Sequence, residues 1–206
     1  MPLNICVLLS GSGTTLQNLI DRIETGMLDA RITSVIASRE NAYGLERARN
    51  HGIPAIPIVR KTFADAAEFS TAIWNEINAR PVDLVVLAGF MSLIDVPKSF
   101  ANRIVNVHPA LLPAFGGKGM YGHHVHEAVL AYGAKLSGAT VHFVDSEYDR
   151  GPIILQKSVP VLDDDSPDTL AERVQAAERE IYPEAIALIA AGRVRVEGRI
   201  VRIATG

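Results

Sequence analysis

A single cysteine, Cys6, is all the thiol that this 206-residue chain carries. An internal disulfide is therefore excluded. Cys6 sits inside an apolar run, so it reads as a buried structural thiol rather than a reactive one. Basic surplus is also missing: the formal net charge is −3 and the pI about 6.1. Nothing points to nucleic acid or to an anionic membrane as a partner. No apolar stretch reaches membrane-spanning length. The N-terminal MPLNICVLLSGSG has no basic leader and runs straight into a strand and a glycine loop, so it does not read as a signal peptide. Repeats, linkers and low-complexity segments are absent as well. What is present is ordinary for a globular chain, with 48% hydrophobic and 21% charged residues. The expectation is one cytoplasmic domain, monomeric or homodimeric, spanning residues 1–206.

Hydrophobic periodicity sets out an alternation of strands and helices. Asn4–Leu9 reads as a strand. Thr15–Met27 places Leu16, Leu19, Ile20 and Ile23 on one helical face. Ile32–Ala37 and Ala55–Val59 read as strands around a helix at Gly44–Asn50. Phe63–Ala79 reads as a helix striped by Phe69, Ile73 and Ile77. Val82–Ala88 and Arg103–Val107 are apolar runs of buried-strand type. This βαβα order predicts an α/β, Rossmann-like, mostly parallel sheet with helices on both faces. Gly138–Val144 and Ile153–Val161 are strands joined by a short loop, which forces an antiparallel pair. Ser166 and Pro167 suit the N-cap and first position of a last long helix. Leu170, Val174, Ala177 and Ile181 form its stripe; Pro183 should kink it and Gly192 end it.

Asn106-Val107-His108-Pro109 ends one of the central strands. Asn106 and His108 are two apart and share a face, at the strand end where open α/β sheets bind ligands. Together with Asp149, in Asp149-Arg150-Gly151-Pro152, they supply an amide, an imidazole and a carboxylate. Acyl transfer to an amine passes through a tetrahedral adduct whose oxyanion needs donors and whose amine must lose a proton. Asn106 can donate, and a protonated His108 donates more strongly. A nearby carboxylate at Asp149 would favour the imidazolium and could relay the amine proton, directly or through water.

Ser10-Gly11-Ser12-Gly13-Thr14-Thr15-Leu16 joins the first strand to the first helix. Backbone N–H groups and hydroxyls there suit a single phosphate monoester. A third glycine would fall at Leu16, so the loop is not a dinucleotide fingerprint; no Gly-Lys-Ser/Thr follows, so it is not a Walker loop.

The chain resembles the phosphoribosylglycinamide formyltransferase family. The resemblance is carried by the Ser10–Leu16 loop, by LAGFM at 87–91, NVHPALLP at 106–113, ATVHFV at 139–144 and YDRGPIILQ at 148–156, in order over nearly the whole length. It implies that the formyl group of 10-formyltetrahydrofolate, a co-substrate, passes to the amino group of glycinamide ribonucleotide in de novo purine biosynthesis, with no metal. It implies Asn106, His108 and Asp149 as the catalytic trio. Gly13, Thr14 and Thr15 would hold the ribonucleotide 5′-phosphate, and Gln175 and Glu178 would contact the ribonucleotide. Phe90, Met91, Ser92, Leu93 and Ile94 would line the folate slot, closed on its other side by Val144 to Asp149, Asp145 included. Residues 1–100 would form the phosphate and ribonucleotide half, and 101–206 the catalytic and folate half. Two departures stand out. Ser92 replaces a residue often basic in the family, and the glycine-rich 116–122 segment is longer than in some relatives, as a mobile flap would be.

Other readings compete. A 10-formyltetrahydrofolate hydrolase would share the trio, but it has no use for a phosphate loop and carries an extra N-terminal regulatory domain with no counterpart here. An enzyme formylating methionyl-tRNA would need a tRNA-binding domain and a more basic face. A non-catalytic nucleotide-binding module would leave the trio unexplained. His123, His124 and His126 lack a carboxylate or cysteine at metal-ligand spacing. His126 is expected to begin a helix to Tyr132, with His124 facing the substrate. His142 is open between a packed core histidine and a site residue. Arg39 reads as an exposed loop residue, and Asp163–Asp165 as a solvated helix start.

Overall fold

A computed structural model describes residues 1–204; the last two positions of the expected 1–206 domain lie outside the described residues. The chain divides into two compact units, Met1–Val105 and Asn106 onward, with the division inside a strand.

In the first unit, β1 (Leu3–Leu9), β2 (Ala30–Ala37), β3 (Ala55–Pro57) and β4 (Leu84–Leu87) alternate with α1 (Thr14–Glu24), α2 (Tyr43–Asn50) and α3 (Ala66–Asn78). β1 pairs in parallel with β2 and β4, and β2 with β3. A strand flanked on both sides and covered on both faces must be apolar throughout. Ile5 to Leu9 meet that demand, all with no exposed surface. Burial pushes the Cys6 thiol up to about 11, so the expected inert thiol is what the core holds. Leu16, Leu19 and Ile20 bury one face of α1, and Phe69, Ile73 and Ile77 one face of α3.

α3 starts three residues later than its hydrophobic stripe suggested. Asp65 is the cause: its carboxylate accepts the Glu68 N–H at 2.8 Å and caps the helix, while Arg60–Thr62 form a separate 3₁₀ turn.

β5 (Ile104–His108) begins in the first unit and ends in the second. Seven strands thus run in the order β3-β2-β1-β4-β5-β6-β7, with β6 at Leu136–Phe143 and β7 at Ile153–Pro160. β6 and β7 are antiparallel, as their short connection required. The second unit adds α4 (His123–Tyr132) and α5 (Pro167–Ala190). Ser166 and Thr169 cap α5 reciprocally, and the helix continues through Pro183 as one element. α4 begins at His123, not His126, because Gly122 takes a positive φ of 54° that allows the chain to enter the helix there; His126 is left buried in the second turn. A separate hairpin, β8 (Val194–Glu197) and β9 (Ile200–Ile203), was not anticipated. Among the described residues, no helix is long and apolar enough to cross a membrane.

Candidate active site

The second unit gathers the expected trio. Asn106 and His108 stand at the carboxyl end of β5, the histidine buried and the amide half-buried. Asp149 arrives from the β6–β7 connection in a left-handed conformation, φ 55°, which a residue with a side chain adopts only under constraint. The constraint is visible two residues on. A Cβ at Gly151 would lie 1.8 Å from the Phe143 carbonyl oxygen, so only glycine lets the returning chain press against the end of β6. The Phe143 N–H then donates to the Pro152 carbonyl at 2.9 Å.

His108 Nε2 donates to the Phe115 carbonyl at 2.8 Å, and Nδ1 lies 3.5 Å from Asp149 Oδ2. Asp149 Oδ2 also accepts the Gly117 N–H at 2.9 Å, which ties the carboxylate to the segment after β5. A Cβ at Gly116 would meet Leu112 Cδ2 at 2.5 Å and Asp149 Cβ at 3.3 Å, so this turn is packed tightly against both.

His142 is the residue that sequence reasoning left open. It is buried on β6, and its Nδ1 donates to its neighbour's carbonyl, Phe143 O, at 2.8 Å. Its Nε2 is then an acceptor and faces Asn106 Nδ2 at 3.3 Å. Burial, with the charge of His108, lowers the His142 pKa against the opposing pull of the Phe143 carbonyl and Asp149. A neutral His142 therefore holds the Asn106 amide with its NH₂ toward the ring. The signal was available: His142 is two residues from Thr140 on β6, and both side chains are buried. Phe115 was missed, and Gly117 was expected only as part of a mobile flap, because both act through backbone groups.

Thr140 fixes the segment between His108 and this turn. Its hydroxyl donates to the Ala110 carbonyl at 2.6 Å and accepts from the Leu112 N–H at 3.0 Å and from Gln156 Nε2 at 3.0 Å. Gln156 Nε2 donates as well to the Leu112 carbonyl at 2.9 Å.

On α5, Gln175 is exposed and Glu178 half-buried. Burial pushes the Glu178 carboxyl up to about 7, opposed by Arg179. Among the described residues, no hydrogen bond or ion pair ties either to the trio. Val144 and Asp145 are half-buried at the start of the Asp149 loop, where Asp145 Oδ1 accepts the Glu147 N–H.

In the first unit, the glycine loop leads into α1. Gly13 has φ 72° and is the N-cap of α1, which no side chain caps; Thr14 is exposed and Thr15 half-buried. Free first-turn N–H groups of this kind favour an anion. Ser10 is buried and ties the loop to Phe90–Ile94: its N–H donates to the Gly89 carbonyl at 3.0 Å, and its Oγ accepts the Met91 N–H at 2.8 Å. Met91 and Leu93 are about half exposed, at 48% and 52%. Phe90 stacks on Phe69, Ser92 is half-buried and Ile94 is buried. His123 and His124 approach separate surface carboxylates, Asp168 and Glu127. Among the described residues, no group of three or more His, Cys, Asp or Glu is placed to hold a metal.

A family model described as formyl transferase matches residues 3–186. The chain is similar to the phosphoribosylglycinamide formyltransferase of Escherichia coli, 38% identical over 196 residues, covering 94% of this chain and 90% of that protein. It is also 41% identical to part of the trifunctional purine biosynthetic protein adenosine-3 of Bos taurus, over 95% of this chain but only 19% of that much longer protein. Among solved structures, glycinamide ribonucleotide transformylase 1 from Symbiobacterium toebii superposes with a TM-score of 0.93 and 45% identity, covering 99% of this chain and 95% of that one.

Proposed function

The chain belongs to the formyl transferase family, and from that premise we propose that it transfers the formyl group of 10-formyltetrahydrofolate to the amino group of glycinamide ribonucleotide in purine biosynthesis. The observation that carries this reading is the Asn106–His142 and His108–Asp149 cluster at the end of β5. The amine nitrogen attacks the formyl carbon and negative charge develops on the formyl oxygen. Asn106 Nδ2 keeps a second hydrogen beside the one directed at His142, and we assign it to that oxygen. The His108 imidazolium adds its positive charge. Asp149 lies beside that charge, takes up the proton the amine loses and delivers it to N10 as the carbon–N10 bond breaks. No covalent enzyme intermediate is needed.

Gly13, Thr14 and Thr15 hold the ribonucleotide 5′-phosphate, and Gln175 and Glu178 contact the rest of the ribonucleotide. Phe90, Met91, Ser92, Leu93 and Ile94, with Val144 and Asp145, serve the folate. The uncapped start of α1 and the exposed apolar Met91 and Leu93 support these assignments. The test is a spectrophotometric assay with a 10-formyl folate, with and without glycinamide ribonucleotide. Folate product and formylated ribonucleotide should appear in equal amounts, and only together. Formate release at the same rate without the ribonucleotide would make the chain a hydrolase.

A further inference from the structure

α2 bears on the glycine loop through Gly44 in its first turn and Arg47 in its last. The Gly44 N–H donates to the Gly11 carbonyl at 3.1 Å, and Arg47 Nε donates to the Ser12 carbonyl at 2.9 Å. Two successive loop carbonyls are thus claimed from one side. The approach is close. A Cβ on Gly13 would lie 2.6 Å from Gly44 Cα and 3.4 Å from Arg47 Cδ, and a Cβ on Gly44 would lie 2.5 Å from Leu9 Cδ2. Arg47 reaches across the loop: Nη1 donates to Gln17 Oε1 at 3.2 Å, and the Gln17 N–H donates to the Gly13 carbonyl at 2.9 Å. Its guanidinium carbon lies 5.0 Å from the Tyr43 ring centre, which steadies the fork.

In a trans peptide the C=O and the following N–H point in opposite directions. Turning the Gly11 and Ser12 carbonyls toward α2 therefore turns the Ser12 and Gly13 N–H groups away from it. Adjacent N–H groups aimed the same way, next to a helix start, make an anion nest. We propose that Arg47 is a positioning residue for ribonucleotide binding. Its fork from the Ser12 carbonyl to Gln17 presets the loop N–H groups for the 5′-phosphate without touching the phosphate itself. This rests on the reading of the loop as the phosphate site.

The test compares wild type, Arg47→Ala and Arg47→Lys with two acceptors: the ribonucleotide and the riboside that lacks its 5′-phosphate. Losing a hydrogen bond from a charged group should raise the ribonucleotide KM of Arg47→Ala by about tenfold or more. Turnover at saturation, folate KM and riboside KM should not change. Lys keeps the charge but not the fork, so Arg47→Lys should retain most of the defect. A melting curve establishes that each variant is folded; should Arg47→Ala fail to fold, Arg47→Lys carries the comparison. An equal KM rise with the riboside, a loss confined to turnover, or no change at all would overturn the proposal. If wild type itself makes no distinction between the two acceptors, the loop is not the phosphate site, and that reading falls on the wild-type data alone.

Discussion

Asp149→Asn removes one charge and almost no volume. The amide oxygen can still accept the Gly117 N–H that Asp149 Oδ2 receives at 2.9 Å, so the turn after β5 keeps its anchor. What disappears is the negative charge 3.5 Å from His108 Nδ1. At an effective dielectric of about 20, a unit pair at that spacing attracts by about 5 kcal/mol. Desolvation of the pair offsets part of that attraction. The same substitution removes the carboxylate proposed to take the amine proton, a role worth about 10²–10⁴-fold. Turnover should therefore fall by about two to four powers of ten, with the KM of each substrate little changed. Single-turnover formyl transfer, measured for both proteins with both substrates saturating, reads this loss directly. A variant with near-parental turnover would refute the role of Asp149.

Two further predictions concern the support of the site. Thr140→Val leaves the buried Leu112 N–H and Ala110 carbonyl without the hydroxyl that pairs them, which should cost about 2–5 kcal/mol in urea unfolding; a negligible shift in midpoint would mean that water replaces the hydroxyl. His142 has a folded pKa lowered below its ordinary 6.5, so the unfolded chain binds more protons in the window just below that value. Its contribution to stability is complete above 6.5 and is lost as pH falls toward the folded value; His142→Gln should flatten this acid-side decline, and an unchanged slope would remove His142 as its source.

The elements that the sequence made legible are those whose burial is uniform or regularly spaced. β1 announces itself because Ile5–Leu9 must be apolar on both faces, and the start of α5 because Ser166 and Pro167 are capping chemistry. The errors have equally local causes. At α3, the stripe ran on past Asp65, whose cap overrode it. At α4, the deciding feature was a positive φ at Gly122, a backbone state that glycine permits but does not announce. In the β8–β9 hairpin, Val194-Arg195-Val196-Glu197 alternates but Ile200-Val201-Arg202-Ile203 does not. The hairpin lies half in solvent, with Ile200 54% and Ile203 37% exposed, so no core face marks it.

The candidate site divides along a different line. Asn106, His108 and Asp149 could be singled out because each brings a functional group that only its side chain supplies. The groups that aim them were not. The Phe115 carbonyl on His108 Nε2 and the Gly117 N–H on Asp149 Oδ2 are backbone, and any residue could provide them. The sequence registers them only indirectly, through the residues that tolerate the required path. A Cβ at Gly116 would push Leu112 Cδ2 aside, and Phe115 sits at φ 53°, a left-handed state it would not choose in isolation. Gly151 is the same case, since it has no chemistry and yet determines where Asp149 stands. A motif such as Asp149-Arg150-Gly151-Pro152 is therefore two statements in one: the acid supplies a carboxylate, and the glycine records how closely the chain must turn to bring that acid to its histidine.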